Sequence, residues 1–321
     1  MDRPQRLRQS PRWRSLVRET HVHPSQLVWP LFVKAGSGAP TPVSSMPGVE
    51  QRSVTDVVEL AEQAEELGLG GLLLFGIPDS KDESGSSAWD PEGPVPAAIR
   101  AIKEACPDLL VWADVCLCEY TSHGHCGLLD GHVIDGEATL PLLARAALAY
   151  AHAGADAVAP SDMFDGRVAH IRAALDDEGF AMTPIVSYAV KYASSLYGPF
   201  REAAGSSLVH GDRRTHQMDP ANAREALREA WLDVVEDADI LMVKPASYYL
   251  DVISAVRRSV DRPVAAYQVS GEYSMIKAAA ANGWLDERAV ALESLTAIRR
   301  AGADCIVTYF APDAAAWLRE G

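Results

Sequence analysis

The chain has 321 residues, 48% of them hydrophobic and 23% charged, which is ordinary globular composition and enough to bury a large core. A formal net charge of −15 argues against nucleic acid or an anionic membrane as a general partner, and no apolar run approaches the ~18 residues of a membrane span. Five cysteines, three of them clustered, suit a reducing, cytoplasmic compartment and not a disulfide framework.

Residues 1–22 form an expected N-terminal arm. Arg3, Arg6, Arg8, Arg12, Arg14 and Arg18 face only Asp2 and Glu19 in its first twenty positions. A basic arm on an acidic body suits docking on an acidic partner, most simply another copy of the chain. The other reading, an Arg-rich targeting peptide, lacks the apolar periodicity such peptides use.

Residues 23–321 are expected to form one domain. Its apolar runs recur as LVWPLFV (27–33), GLLLFG (71–76), LLVWADV (109–115), AVAPSD (157–162), PIVSYAV (184–190), ILMVKPA (240–246), VAAYQVS (264–270) and CIVTYFA (305–311). Continuous apolar runs are how strands buried on both faces look. Helical patterns lie between them: 54–68, 95–105, 139–154, 221–236, 249–260 and 286–302. Strand then helix, about eight times, predicts an α/β fold, a closed (β/α)8 TIM barrel. The rival, a doubly wound open sheet, needs a glycine-rich turn between its first strand and a helix. GSGAPTPVSSMPG follows the first strand, but no helix begins there. The runs AGADAVAP, EDADILMVKP and AGADCIVTYF each pass from helix end to Ala-Asp to strand, which suggests repeated αβ units or simply a favoured turn. Two segments break the alternation: 77–94 is polar and turn-rich, and 191–220 is longer than an ordinary βα loop. The second carries aromatics and arginines and is expected to be a lid, at about 192–217, over a site.

Barrel sites stand at the carboxyl ends of strands. Asp114, Cys116 and Cys118 follow the third strand; Ser161 and Asp162 follow the fourth. Lys191 ends the fifth, Lys244 the sixth, Ser270 the seventh, and Tyr309 comes from the eighth. Alternation puts Ser187, Ala189 and Lys191 on one face, Met242 and Lys244 on one, and Trp112, Asp114 and Cys116 on another. If these faces point inward, both lysines and Asp114 converge. A desolvated amine beside a second cation has a depressed pKa and can attack a carbonyl to form a Schiff base. The bland alternative is a strand-end lysine whose head reaches water.

In DVCLCEYTSHGHCG, Cys116, Cys118 and Cys126 suit a tetrahedral Zn2+. With His123 or His125 as fourth ligand the site would be structural; with an open position it would be catalytic. In the lid, Phe200, Arg201, Arg213, Arg214 and Gln217 suggest capture of a carboxylated substrate, since guanidinium forks bind carboxylates.

These residues resemble the porphobilinogen synthase (5-aminolaevulinate dehydratase) family, of the zinc-cysteine type. The resemblance is carried by DVCLCEYTSHGHCG, PSDMFDGRV, YGPFREAAG, LMVKPA, YQVSGEYSM and the opening RWRSLVRET with HPSQLVWPLFV, and it runs over nearly the whole chain. It implies a hydro-lyase of tetrapyrrole (haem) biosynthesis that condenses two 5-aminolaevulinate molecules to porphobilinogen, losing two waters. Lys244 then matches the Schiff-base lysine for the substrate that becomes the propionate half, and Lys191 the lysine for the second. Cys116, Cys118 and Cys126 match zinc ligands. Arg201, Arg213 and Gln217 match lid residues on one carboxylate, with Phe200 in the same lid; Ser270 and Tyr309 match the grip on the other. Asp114 is a candidate proton shuttle with Ser161 nearby, and Glu229 a candidate ligand of an allosteric Mg2+. The resemblance also implies a homo-octamer embraced by N-terminal arms. His216, Phe164 and Trp89 stand where the family often has Tyr, Met and Tyr. Two rival functions remain: a Schiff-base class I aldolase on the same barrel, needing one lysine and no thiolate metal, and a zinc-binding scaffold needing no buried lysine.

Overall fold

The structure, a computed structural model, describes residues 2–209 and 211–320. Eight parallel strands form the barrel: β1 Leu27–Lys34, β2 Gly71–Ile77, β3 Val111–Val115, β4 Ala157–Pro160, β5 Val186–Lys191, β6 Ile240–Lys244, β7 Val264–Gln268 and β8 Cys305–Thr308. Hydrogen bonding runs β4-β3-β2-β1-β8-β7-β6-β5. The ends of that row meet through a bridge between Val158 and Ile185, with Val158 N donating to Pro184 O at 3.1 Å. The (β/α)8 barrel expected from the sequence is therefore the fold, and the eight strands coincide with the runs that announced them, three of them running one residue further, to Lys34, Ile77 and Lys191.

The apolar runs are continuous because each strand is covered twice. Val28, Leu73, Trp112, Val186, Met242, Ala265 and Val307 pack inside the barrel. Leu72, Leu74, Ala113, Val158, Leu241, Val243 and Ile306 pack outward, with Ala61, Ile99, Ala147, Ile171, Ile253 and Ile298 of the surrounding helices. Stabilisation at about 25 cal/mol per Å2 of buried apolar surface comes from both layers.

The repeated Ala-Asp turns have a physical purpose. Asp156 Oδ2 accepts from Val111 N (2.8 Å), Asp239 Oδ2 from Ile185 N (2.8 Å) and Asp304 Oδ2 from Val264 N (2.9 Å). Each aspartate also donates its own N–H to the carbonyl of the residue it accepts from. At the amino-terminal end of the barrel these carboxylates satisfy donors that the neighbouring strand cannot reach. The sharp helix exits before them use Gly154 (φ +99°), Asp237 (φ +72°) and Gly302 (φ +123°), where glycine costs least.

One local expectation fails. Ser187 does not share a face with Lys191: its hydroxyl points outward, to Arg167 and Asp233. The pairing of β5 with β6 shifts register between Leu241 and Val243, where Leu241 faces Ser187 but Val243 faces Val190. The extra residue in β5 is a bulge, and it reverses the side-chain phase. Tyr188 and Lys191 consequently both point inward, and Lys191 pairs directly with Lys244. Helices Arg167–Asp177, Gly198–Ala203, Ser270–Ala281 and Ala311–Glu320 were not expected, nor were the small hairpins Thr41–Pro42/Glu50–Arg52 and Leu128–Asp130/Val133–Asp135. In the N-terminal segment, Leu7, Trp13, Leu16 and Val17 are exposed.

Arg167 is buried and ties the fold's layers together. Its Nη2 donates to Asp233 Oδ2 at 3.0 Å and to Ser187 Oγ at 2.9 Å, and its Nε lies 3.8 Å from Asp162 Oδ1. Asp233→Ala leaves this cation short of its main partner and should cost about 3–5 kcal/mol, read as a fall in urea midpoint at fixed protein concentration; an unchanged midpoint would contradict the assignment.

Candidate active site

The carboxyl ends of the strands converge on two amines. Lys191 and Lys244 are register partners on β5 and β6, and both are buried. Lys244 Nζ lies in a cage of aromatic faces, 4.4 Å from the Tyr267 ring centroid, 4.9 Å from Tyr188, 5.2 Å from Phe200 and 5.3 Å from Tyr197. Burial, and next the charge of Lys191, lower its pKa to about 7. The ring faces attract the protonated form, but desolvation is the larger effect. Lys191 Nζ sits 5.6 Å from the same Tyr188 ring and donates to the carbonyl of Ser161.

Asp114, from β3, stands between the amines and the cysteines. Ser161 Oγ donates to its Oδ2 at 3.0 Å. Burial and the nearby Glu119 carboxylate raise its pKa to about 8, against the opposing pull of Lys244 and Lys191. At neutral pH this leaves a carboxylic acid near Lys244, an amine neutral in a substantial fraction, a pairing poised for proton transfer.

Cys116, Cys118 and Cys126 are buried, and their sulfurs all lie within 4.8 Å of one another; Cys116 Sγ and Cys118 Sγ are 3.4 Å apart. Three soft donors converging on one point fit a tetrahedral thiophilic cation. Among the described residues, neither His123 nor His125 belongs to that group. Glu119 Oε2 accepts from Cys118 Sγ at 3.3 Å, and its pKa is raised to about 8, first by burial and then by Cys118.

The lid folds as two short helices, Ser195–Tyr197 and Gly198–Ala203, and an irregular return. It is pinned at several points: Phe200 N donates to Ser270 Oγ (3.0 Å), whose hydroxyl donates to Leu196 O (3.2 Å), and Glu202 Oε1 accepts from Ser44 N (3.0 Å). Arg201 Nε, Arg213 Nε and Gln217 Nε2 are buried N–H groups with no hydrogen-bond partner among the described residues. Unmade donors of this kind are costly and mark where an acceptor belongs. The enclosed space bounded by Phe75, Cys118, Glu119, Ser161, Arg213 and the two lysines has room for about one water molecule. Tyr309 Oη is 3.0 Å from Tyr267 Oη.

Of the residues singled out from the sequence, the structure gathers Lys191, Lys244, Asp114, Ser161, Phe200, Arg213, Ser270, Tyr309 and the cysteines at this end of the barrel. Glu229 lies apart, half-buried on helix Arg224–Val235, lining a cavity of about 640 Å3 behind the lid with Asp165, His216 and Glu225. Among the described residues, the three cysteines are the only group close enough to share an ion, and Glu229 is not in it. Sequence reading missed the aromatic cage, Glu119 and Glu272. Glu272 is buried and accepts from Ser247 N (2.6 Å) and Val269 N (2.6 Å), fastening the backbone just beyond Lys244. Tyr188 and Tyr267 were legible in principle, as large side chains within strands β5 and β7.

Comparisons with known proteins cover nearly the whole chain. A sequence model of the family described as Delta-aminolevulinic acid dehydratase matches residues 1–317. A delta-aminolevulinic acid dehydratase of Synechococcus elongatus is 55% identical over 98% of each chain; one of Methanothermobacter thermautotrophicus is 56% identical over 97% of this chain and 95% of its own. The crystal structure of the enzyme (porphobilinogen synthase) from Toxoplasma gondii, in complex with the reaction product porphobilinogen, is 46% identical and superposes with a TM-score of 0.97, covering 100% of this chain and 92% of the other.

The depressed pKa of Lys244 has a stability consequence. The unfolded lysine (about 10.4) binds more protons than the folded one between pH 7 and 10, so folding strengthens as pH rises through that window. Lys244→Met removes this dependence. Its stability advantage over the parent chain should be largest near pH 7 and shrink toward pH 10 in urea titrations; a difference independent of pH would show that the lysine is not held neutral.

Proposed function

From the premise that the chain belongs to the delta-aminolevulinic acid dehydratase family, we propose a mechanism for its reaction built on two Schiff-base lysines and a zinc-bearing cysteine site. The reaction itself is the condensation of two 5-aminolaevulinate molecules to porphobilinogen, with loss of two waters, in tetrapyrrole synthesis.

The observation that carries the mechanism is the pairing of Lys191 with Lys244 around one tyrosine ring. A keto substrate loses its carbonyl oxygen as water when a neutral amine adds and the carbinolamine dehydrates, leaving an iminium that acidifies the neighbouring carbon. Two keto substrates need two such amines. Lys244, neutral in a substantial fraction at pH 7, anchors the molecule that becomes the propionate half; Lys191 anchors the second. Asp114 as an acid, with Ser161 on its Oδ2, supplies and retrieves protons at the carbinolamine oxygen and the adjacent carbon. Arg201, Arg213 and Gln217 offer unmet N–H donors to one carboxylate. Ser270 and Tyr309 take the other; Ser270 would exchange its lid contact for it. Phe200 completes the dry wall over Lys244. The shut lid, about residues 192–217, excludes water that would hydrolyse the imines.

Cys116, Cys118 and Cys126 would hold Zn2+, which when bound would supply Lewis-acid chemistry toward the second substrate's amine or a hydroxide. Mg2+ near Glu229 would be regulatory: the helix carrying Glu229 also carries Asp233, which grips Arg167 and through it β5. The assembly would be a homo-octamer joined by arms of residues 1–22, and the compartment cytoplasmic; among the described residues no helix is long and apolar enough to cross a membrane.

A class I aldolase would use one lysine and leave the sulfur trio without a purpose. Borohydride added with 5-aminolaevulinate separates the readings. Reduction should leave a substrate adduct on Lys244, absent from Lys244→Ala; saturated, metal-loaded protein with no lysine adduct would defeat the Schiff-base proposal. Cys118→Ala should weaken zinc binding and turnover together by at least about tenfold; zinc retained at one equivalent with parent affinity would remove the metal assignment.

A further inference from the structure

We propose that the lid and the cysteine loop close as one unit, with Arg213 as the positioning residue that joins them, so that a metal held by the three cysteines also holds the lid shut over the lysines. This rests on the metal-holding reading of Cys116, Cys118 and Cys126.

The contacts run in both directions across the seam. Arg213 Nη2 donates to Gly124 O, inside the cysteine loop, at 2.9 Å, and to Ser206 O, inside the lid, at 3.1 Å. Val209 N of the lid donates to His123 O at 3.3 Å. Gly124 has φ +74°, and a Cβ there would stand 2.6 Å from Ser207 O, so the lid backbone lies where no side chain could intervene. A third segment, following β2, grips both partners: Lys81 Nζ donates to Gly205 O at 2.7 Å, while Ser122 N donates to Asp82 O at 2.8 Å.

Gly124 lies between Cys118 and Cys126. Drawing those two sulfurs to one cation fixes the stretch between them and therefore the carbonyls that Arg213 and Val209 require. A loop released from the metal loses that fixed shape, and the lid loses its seat. Linkage makes the effect reciprocal: the factor by which zinc favours the shut lid equals the factor by which the shut lid favours zinc. Arg213 thus acts before any substrate carboxylate arrives.

The test is hydrogen exchange by mass spectrometry on the substrate-free full chain, zinc-loaded and chelated, with zinc affinity measured in parallel. Zinc should slow exchange in lid segments 198–209 and 211–217 by at least about tenfold and leave helix Val54–Glu66 unaffected. Arg213→Ala should show a fast-exchanging lid in both states and a zinc Kd weakened by the factor that zinc exerts on the parent lid. If Arg213→Ala does not fold, Lys81→Ala makes the same comparison, with a smaller shift of both quantities. Zinc bound at one equivalent with no lid response, or a lid loosened by the variant at parent zinc affinity, overturns this inference alone. Failure to bind zinc at all overturns it together with the metal assignment.

Discussion

Everything at the mouth of this barrel depends on keeping an amine dry. An ammonium at Lys244 would have to be desolvated among four aromatic rings and beside a second lysine. The rings recover part of the lost hydration, yet the balance still lies with the neutral amine, which is the reactive form. Asp114 is under the same constraint. It could have stabilised the cation as a carboxylate, but burial and Glu119 hold it toward the protonated state. A protonated acid and an amine shifted toward its neutral form therefore coexist near neutral pH. Much of the surrounding structure serves to maintain that dryness, including the shut lid and the buried Glu272 that fixes the backbone beyond Lys244.

The geometry that sets the amines side by side is a departure from regular strand structure. A strand with strict alternation would place Lys191 on the face of Ser187, against the outer helices. The bulge in β5 inserts one residue and turns Lys191 inward, while Ser187 stays outside to bond Arg167 and Asp233. One irregularity thus divides the strand between a structural face and a reactive one, as bulges near active sites commonly do. The convergence of the lysines was legible in the sequence, but the alternation used to infer it was locally wrong. A bulge leaves no signature in residue type when the extra residue is an ordinary Ala or Val.

What else could be read from the chain follows the range of the interactions involved. The eight strands were visible because double burial imposes a continuous apolar run, and the cysteine trio because sulfur at close spacing is rare. The Ala-Asp repeats were visible as an echo, but their purpose required the neighbouring strand. Helix Ser270–Ala281 escaped notice because its first turn is occupied by Gly271 and the buried Glu272, and its alanines give little amphipathic contrast. Long-range ties were invisible altogether. Nothing in the sequence near Glu202 announces Ser44, or near Arg213 announces Gly124, since such pairs exist only once the barrel has brought distant loops together.

The two halves of porphobilinogen come from the same small molecule, so the proposed mechanism has the enzyme treat identical substrates differently using two residues of the same type. Only their surroundings can make the distinction. Lys244 is enclosed by aromatic side chains, and the burial they impose favours a neutral amine. Lys191 is held by the Ser161 carbonyl, in a cavity that Cys118, Glu119 and Arg213 also line. On the proposed mechanism, a substrate at the first lysine would be stabilised by exclusion of water, and one at the second by directed polar contacts. The asymmetry also bears on the lid. Its aromatic part, Tyr197 and Phe200, completes the dry wall over Lys244, whereas its basic part, Arg213, faces the cysteine side. Closing the lid therefore completes both environments in one movement, and a lid that failed to seat on the cysteine loop would leave both lysines in contact with water.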